Sequence, residues 1–486
     1  MRRPAGLVAF AIFAFSAQPG FGQPASPAPA PTLSAQPSPS PTAVPVADAV
    51  DAVAKRLIAS KRVPGLAVAV ERHGVVVEEA YGYADVAKKV PVTTDTRFEI
   101  GSVTKQFTAA CVLQLADAGK LSLDDRLGKY VSDYFVGRGV TVRQLLEQTS
   151  GIPEYLDGAD VVEAASTQPA TYATILDRVS AKPLDFPPGT RWEYSNTNYI
   201  LLGRIIEFVA REKYETYVRE HVFEPAGMTQ SGFIDDEATL PAMARGYSAT
   251  VTGVAPAPAL REDWAQAAGG IVSTVGDVVK WDDALLAGKI VPPADVTLMR
   301  SDARLIDGSP THYGFGWLVD DVGGHPHVWH NGGTFGFHAV NATFPSDDET
   351  IVMLGNSTSG LESSVSDIFA KTHPDVAAAL DAVVPGEDPA VTARAKEWLH
   401  RFETDDIDRS QLTATMSTLL TPELTAELQR QFAPLGVPQS LSYRGKVTSG
   451  TSTIYRYLAT YPTGTFVILI GIDTSGKISG YRLLPP

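Results

Sequence analysis

The sequence predicts an α/β domain, an antiparallel sheet flanked by helices with a mostly helical insertion, followed by a small α+β domain. Three observations predict it. Alternating apolar residues mark strands near 65–83 and again near 313–356, so one sheet must draw on distant parts of the chain. Between them, over 141–223, apolar residues recur at helical spacing, and Gly151-Ile152-Pro153 and Pro187-Pro188-Gly189 break the pattern into separate helices. Pro385-Gly386-Glu387-Asp388-Pro389 then marks a boundary, past which two helices precede four strands.

Taken in order, Met1-Arg2-Arg3, the apolar run from Ala5 to Ala17 and the small residues Gly20 and Gly22 read as a secretory signal peptide over 1–22. The run is too short to span a bilayer as a helix. Residues 23–46 are dominated by Pro, Ala and Ser and read as a semi-rigid linker. A folded domain is expected over 47–375. It opens with an amphipathic helix (46–60) and a hairpin (65–71 and 75–83) turning at His73-Gly74. A helix starts at Ser102, and further helices are expected over 141–148, 172–181 and 198–212. Strands over 313–319, 327–330, 336–344 and 350–356 and a helix over 361–371 close the domain. Helices over 391–402 and 422–432, with strands over 440–447, 453–461, 464–473 and 477–484, give a small domain over 386–486, loosely like the cystatin or nuclear-transport-factor-like folds. No catalytic set falls in it, and binding or packing is its default role.

The net charge of −15, without a Lys/Arg-rich block, argues against nucleic acid as a partner. Cys111 is the only cysteine, so there is no internal disulfide, and its apolar neighbours read it as a small core residue. Membrane contact is expected only where the signal segment stays uncleaved.

The chemistry centres on Phe98-Glu99-Ile100-Gly101-Ser102-Val103-Thr104-Lys105, a strand running into a helix. Ser102 and Lys105 stand three residues apart, on one face of the first helical turn. A serine hydroxyl needs a nearby base, and a lysine amine serves as one only when burial or another cation depresses its pKa. Tyr194-Ser195-Asn196 supplies a second proton-transfer group and an amide, just before a helix. His330-Asn331-Gly332-Gly333 places a basic ring and two glycines on a strand, where a substrate backbone can approach closely.

In this order the three elements resemble the β-lactamase and penicillin-binding-protein-like serine hydrolases, specifically the branch of class C β-lactamases, D,D-carboxypeptidases and esterases. The resemblance covers about residues 49–370 and takes in 144–153, 268–274 and 313–317 as non-catalytic landmarks. It implies a β-lactamase/transpeptidase-like fold and a secreted or periplasmic hydrolase that cleaves an amide or ester of a small-molecule or peptidoglycan-derived substrate through an acyl-serine. It implies no cofactor and no metal. Ser102 would be the nucleophile, Lys105 its proton acceptor, and Tyr194 the proton shuttle, as phenolate or through Lys105. Asn196 would orient Lys105 and the substrate amide, the Ser102 and Gly333 N–H groups would form the oxyanion hole, and Gly332 would allow the approach. His330 would help position Tyr194 and meet an acidic substrate end. Here the chain departs from the β-lactamase pattern, which has lysine in the third motif. An unperturbed histidine is mostly neutral at pH 7, so carboxylate recognition weakens and carboxypeptidases, D-amino-acid peptidases and esterases gain weight. Phe335 also stands where relatives often have proline.

Three rival readings compete. His325, His327 and His330 have the look of a zinc-binding run, but His330 falls on the opposite strand parity and no acidic residue lies inside the cluster. A hydrolase built on Gly-x-Ser-x-Gly lacks its pentapeptide here. A secreted recognition protein with a vestigial site would not be expected to keep all three elements intact.

Overall fold

The computed structural model describes residues 44–132, 134, 136–158, 160–236, 242–250, 253–381, 384–449, 452–461 and 464–484. The signal segment (1–22) and almost all of the linker (23–46) lie outside the described residues. The chain divides into two compact units, Pro41–Pro374 and the part beginning at Asp375.

In the larger unit, helix α1 (Val46–Ala59) leads into β1 (Gly65–Arg72), β2 (Val75–Asp85) and the short β3 (Val90–Pro91). Both residues at the β1–β2 turn have positive φ, His73 at 51° and Gly74 at 75°, which suits a two-residue hairpin. Next come β4 (Phe98–Glu99) and α2 (Thr104–Asp117), then α3 (Asn196–Ala210), β5 (Gly232–Phe233), β6 (Ile271–Ser273) and α4 (Val275–Leu286). The unit closes with β7 (Leu318–Val322), β8 (His325–Gly333), β9 (His338–Phe344), β10 (Glu349–Gly355) and α5 (Glu362–Thr372).

The main sheet has the order β3-β2-β1-β10-β9-β8-β7. Its centre joins the two ends of the unit: β1 runs antiparallel to β10, from Leu66 opposite Gly355 to Arg72 opposite Glu349. Every residue of β10 and the first six of β1 are buried, as central strands with covered faces must be. Helices α1 and α5 pack on each other, and α4 packs on β1 and β10. A second sheet, β4-β6-β5, ties the strand before Ser102 to the insertion, with Glu99 opposite Val272. Helix α2 is buried nearly all round, and Phe107 stacks on Trp281 with ring centroids 4.2 Å apart. A helix enclosed on all sides gives its side chains fixed positions.

Three expectations needed correction. Residues 313–317 are not strand: only Leu318–Val322 pairs with β8, and Gly316, with φ of 77°, turns the chain so that Tyr313 is fully buried. Ser102 lies in a 3₁₀ turn, Gly101–Val103, and the α-helix begins at Thr104. Helix α3 starts at Asn196 rather than 198, so the motif's asparagine is its first residue.

The second unit contains α6 (Pro389–Thr404) and α7 (Pro422–Phe432) and a four-stranded antiparallel meander, β11 (Ser440–Ser449), β12 (Ser452–Tyr461), β13 (Gly464–Asp473) and β14 (Ile478–Leu484), in sequential order. Asp388 caps α6 by accepting from the Ala390 and Val391 amides, and Trp398, Phe402, Tyr457, Ile468 and Tyr481 share its core.

Candidate active site

The sequence brings Ser102 to the start of an enclosed helix because Gly101 takes φ of 49°, a left-handed conformation that costs glycine little. Gly101 also lies against β8. A Cβ on it would stand 2.8 Å from the Gly333 nitrogen, and a Cβ on Gly332 would stand 1.8 Å from the Ile100 carbonyl oxygen and 2.9 Å from the Ser102 nitrogen. The two backbones therefore touch without side chains between them, which brings the Gly333 and Ser102 segments together.

Lys105 is fully buried one helical turn on. Its Nζ lies 3.0 Å from Ser102 Oγ, 2.8 Å from Asn196 Oδ1 and 2.7 Å from the Ala268 carbonyl oxygen. The faces of Tyr194 and Tyr199 lie 4.9 and 5.5 Å from the same nitrogen. Burial lowers the Lys105 pKa to about 7, with Glu154 pulling the other way. Neutral and ionised amines are therefore both accessible near neutrality. In the neutral amine two N–H groups serve Asn196 Oδ1 and the Ala268 carbonyl, which can only accept, and the lone pair is left for the Ser102 hydroxyl.

The Tyr194 hydroxyl is buried and turned toward Ser102 without closing a hydrogen bond to it. Burial, and then the neighbouring Tyr313, push its pKa well above the ordinary phenol value, so Tyr194 is a neutral phenol. A resting phenolate is therefore disfavoured at Tyr194.

The His330 and Tyr194 rings lie in contact, with centroids 6.0 Å apart. His330 Nδ1 donates to the Asn331 carbonyl oxygen at 2.5 Å, and its Nε2 accepts from the Tyr313 hydroxyl at 3.1 Å. Both ring nitrogens are engaged, the residue is 1% exposed, and burial and then Lys105 lower its pKa to about 3. With both nitrogens engaged and its pKa lowered, the ring presents no positive charge near neutrality. It also holds Tyr313, and the Tyr313 and Tyr194 rings meet edge to face at 6.4 Å. His325 and His327 go elsewhere, to Asp347 and Asp320, so the three histidines of the zinc-like run do not converge.

Sequence reading gave no site role to Glu154, to Gln148 and Tyr313 within its landmarks, or to the pair His338 and Glu362. Glu154 Oε2 accepts from the Asn196 backbone N–H at 2.7 Å and from Asn196 Nδ2 at 3.0 Å. Gln148 Oε1 accepts from the Ser195 amide at 3.1 Å, which fixes the loop that presents Tyr194. Glu362 Oε1 accepts from Asn331 Nδ2 at 2.6 Å and His338 Nε2 at 2.8 Å, bracing the strand at Gly333. Glu154 directly follows Gly151-Ile152-Pro153, a landmark the sequence did single out; its carboxylate among apolar neighbours was the available signal.

The Beta-lactamase family model matches residues 50–372. The chain is 29% identical over 325 residues to penicillin-binding protein 4* of Bacillus subtilis, an alignment covering 64% of this chain and 71% of that protein. It is 32% identical over 314 residues to penicillin-binding protein 4 of Amycolatopsis lactamdurans, covering 60% and 81%. Among solved structures, D-amino acid amidase from Ochrobactrum anthropi SV3, complexed with L-phenylalanine amide, superposes with a TM-score of 0.60 at 26% identity, over 67% of this chain and 98% of that one.

Proposed function

Because the chain belongs to the Beta-lactamase family, we propose that it is an exported serine hydrolase that cleaves an amide or ester through an acyl-enzyme on Ser102. The observation that carries the reading is the set of contacts at Lys105 Nζ: two carbonyl oxygens take its N–H groups and aim its lone pair at Ser102 Oγ, 3.0 Å away. Lys105 accepts the Ser102 proton as Oγ attacks the carbonyl carbon. The Ser102 and Gly333 N–H groups receive the oxyanion, where one donor is worth about 10²–10³ in rate. Tyr194 passes its phenolic proton to the departing amine or alkoxide and is recharged from the Lys105 ammonium. Water then attacks the acyl-serine, the proton steps run in reverse, and Ser102 recovers its proton.

The neutral, fully engaged His330 supports substrates without a carboxylate beside the scissile bond. That favours a D-amino-acid amide or a short ester over a β-lactam or a D-Ala-D-Ala peptide, the substrates of β-lactamases and D,D-carboxypeptidases. Export is supported by the Arg2-Arg3 start and the apolar run behind it.

A panel of a D-amino-acid amide, a short-chain ester, a β-lactam and a D-Ala-D-Ala peptide, run with wild-type enzyme and Ser102→Ala, tests both parts. Turnover of the uncharged substrates that vanishes in Ser102→Ala is expected. A folded wild type that is neither acylated nor active on any of the four would favour the recognition-protein reading.

A further inference from the structure

We infer that Glu154 is a positioning residue for acylation: its carboxylate fixes the amide of Asn196 so that Oδ1, and not Nδ2, faces Lys105. The inference rests on the serine-hydrolase reading above and adds a residue to it.

Glu154 uses both oxygens. Oε1 accepts from the Leu156 amide at 2.9 Å, and Oε2 accepts from the Asn196 amide at 2.7 Å and from Asn196 Nδ2 at 3.0 Å. The Asn196 amide, at the start of α3, has no partner within the helix, and no side chain of the cap residue Ser195 satisfies it. Glu154 therefore performs two tasks with one oxygen: it caps α3 and selects one of the two orientations of the Asn196 side chain. A carboxylate can only accept, so Nδ2 must face it and Oδ1 must face away. Lys105 Nζ stands 2.8 Å from that Oδ1. Were the amide reversed, Nδ2 would confront a Lys105 N–H, and the lone pair would turn from Ser102 to relieve the clash.

The charge of Glu154 bears on the same lysine. Among the described residues, the titratable groups facing Lys105 are Tyr194 and Tyr199 from α3 and the loop before it, His330 from β8, and Glu154. Burial keeps both tyrosines and His330 neutral near pH 7. Burial also raises the Glu154 pKa, against the pull of the Asn196 and Leu156 N–H groups and of Lys105, which favour its carboxylate. Glu154 in turn raises the Lys105 pKa against the larger effect of burial.

Glutamine cannot replace this arrangement, because it has one acceptor oxygen where Glu154 uses two. Whichever way it turns, its NH₂ meets either the Leu156 N–H or the two Asn196 donors. In Glu154→Gln, kcat on an uncharged ester or amide is expected to fall about 10²-fold, as for a displaced catalytic group, and the acid limb of kcat/KM is expected to move to lower pH. Glu154→Asp keeps the charge but shortens the reach, so its limb should stay near the wild-type position while kcat falls. A Gln variant with wild-type kcat and an unmoved limb overturns the inference. If that variant does not fold, an Asp variant with wild-type kcat does so. Mass spectrometry of wild type after treatment with a fluorophosphonate separates the two levels: no adduct on Ser102 defeats the serine-hydrolase reading itself, whereas an adduct with unaltered Glu154 variants defeats the role of Glu154 alone.

Discussion

Gly332 and Ile100 meet backbone to backbone: a Cβ on Gly332 would lie 1.8 Å from the Ile100 carbonyl oxygen. No side chain can occupy that space, so Gly332→Ala must push β8 away from the Ser102 turn and take the Gly333 N–H with it. Overpacking of this kind costs about 1–3 kcal/mol, and losing one oxyanion donor costs about 10²–10³ in kcat. Gly333→Ala is the control, since its Cβ would meet nothing nearer than His338 Nδ1 at 4.0 Å. Denaturant midpoints and ester turnover of the two variants should differ accordingly, and equal losses in both would dissolve the distinction.

The Lys105 amine predicts the shape of the pH profile. Its pKa is lowered to about 7, and the neutral form is the one that can accept the Ser102 proton, so kcat/KM should rise as pH increases through about 7 and then level off. Lys105→Ala should cost roughly 10²- to 10⁴-fold. Lys105→Arg should be no better, because a guanidinium does not deprotonate in this range. Near-normal turnover in either variant would remove lysine from the mechanism.

His330 could be mistaken for the source of that limb, since an ordinary histidine titrates close by. Burial holds it at about 3, so it stays neutral throughout the working range. His330→Gln should therefore lower activity by loosening Tyr313 and Tyr194 while leaving the acid limb where it was. A limb that disappears with the imidazole would transfer the assignment from Lys105 to His330.

These contrasts mark how far the sequence could be read. Ser102, Lys105, Tyr194 and Asn196 were legible because their spacing along the chain restricts their chemistry, and the structure gathers Ser102, Asn196 and Tyr194 around Lys105 Nζ. The β1–β2 hairpin was legible from period-two alternation and a turn at His73-Gly74. What stayed hidden was set by packing across the chain. The charge state of His330 depends on its enclosure and on Lys105, and Glu154 matters through a bond to a helix start 42 positions away. Strand alternation over 313–319 misled because Gly314 lies against the Met299 carbonyl, where a Cβ would stand 2.1 Å from the oxygen, a contact that no local pattern reveals.

The buried carboxylates predict how stability follows pH. Asp282 is fully buried, accepts from Asn341 Nδ2 at 3.1 Å, and has its pKa raised by burial to about 8. Glu262 is raised to about 8, and Glu147 and Glu349 to about 7, by the same cause. In the folded state these groups keep their protons to near neutrality, whereas in the unfolded chain they lose them near pH 4. The unfolded state therefore binds fewer protons between about pH 4 and 7, and stability must fall as pH rises through that range. His330 and His373 oppose this below pH 6.5, because their lowered pKa values leave the unfolded state with more protons there, but the raised carboxylates, Glu71 and Asp295 among them, outnumber them. Lys105 opposes it only above about pH 7. Asp282→Asn isolates one contribution: asparagine cannot ionise in either state, so the variant's stability relative to wild type should grow by about 1.4 kcal/mol per pH unit between pH 5 and 7. Urea titrations at those two pH values measure it, and a constant difference between the proteins would mean that Asp282 is ionised in the fold.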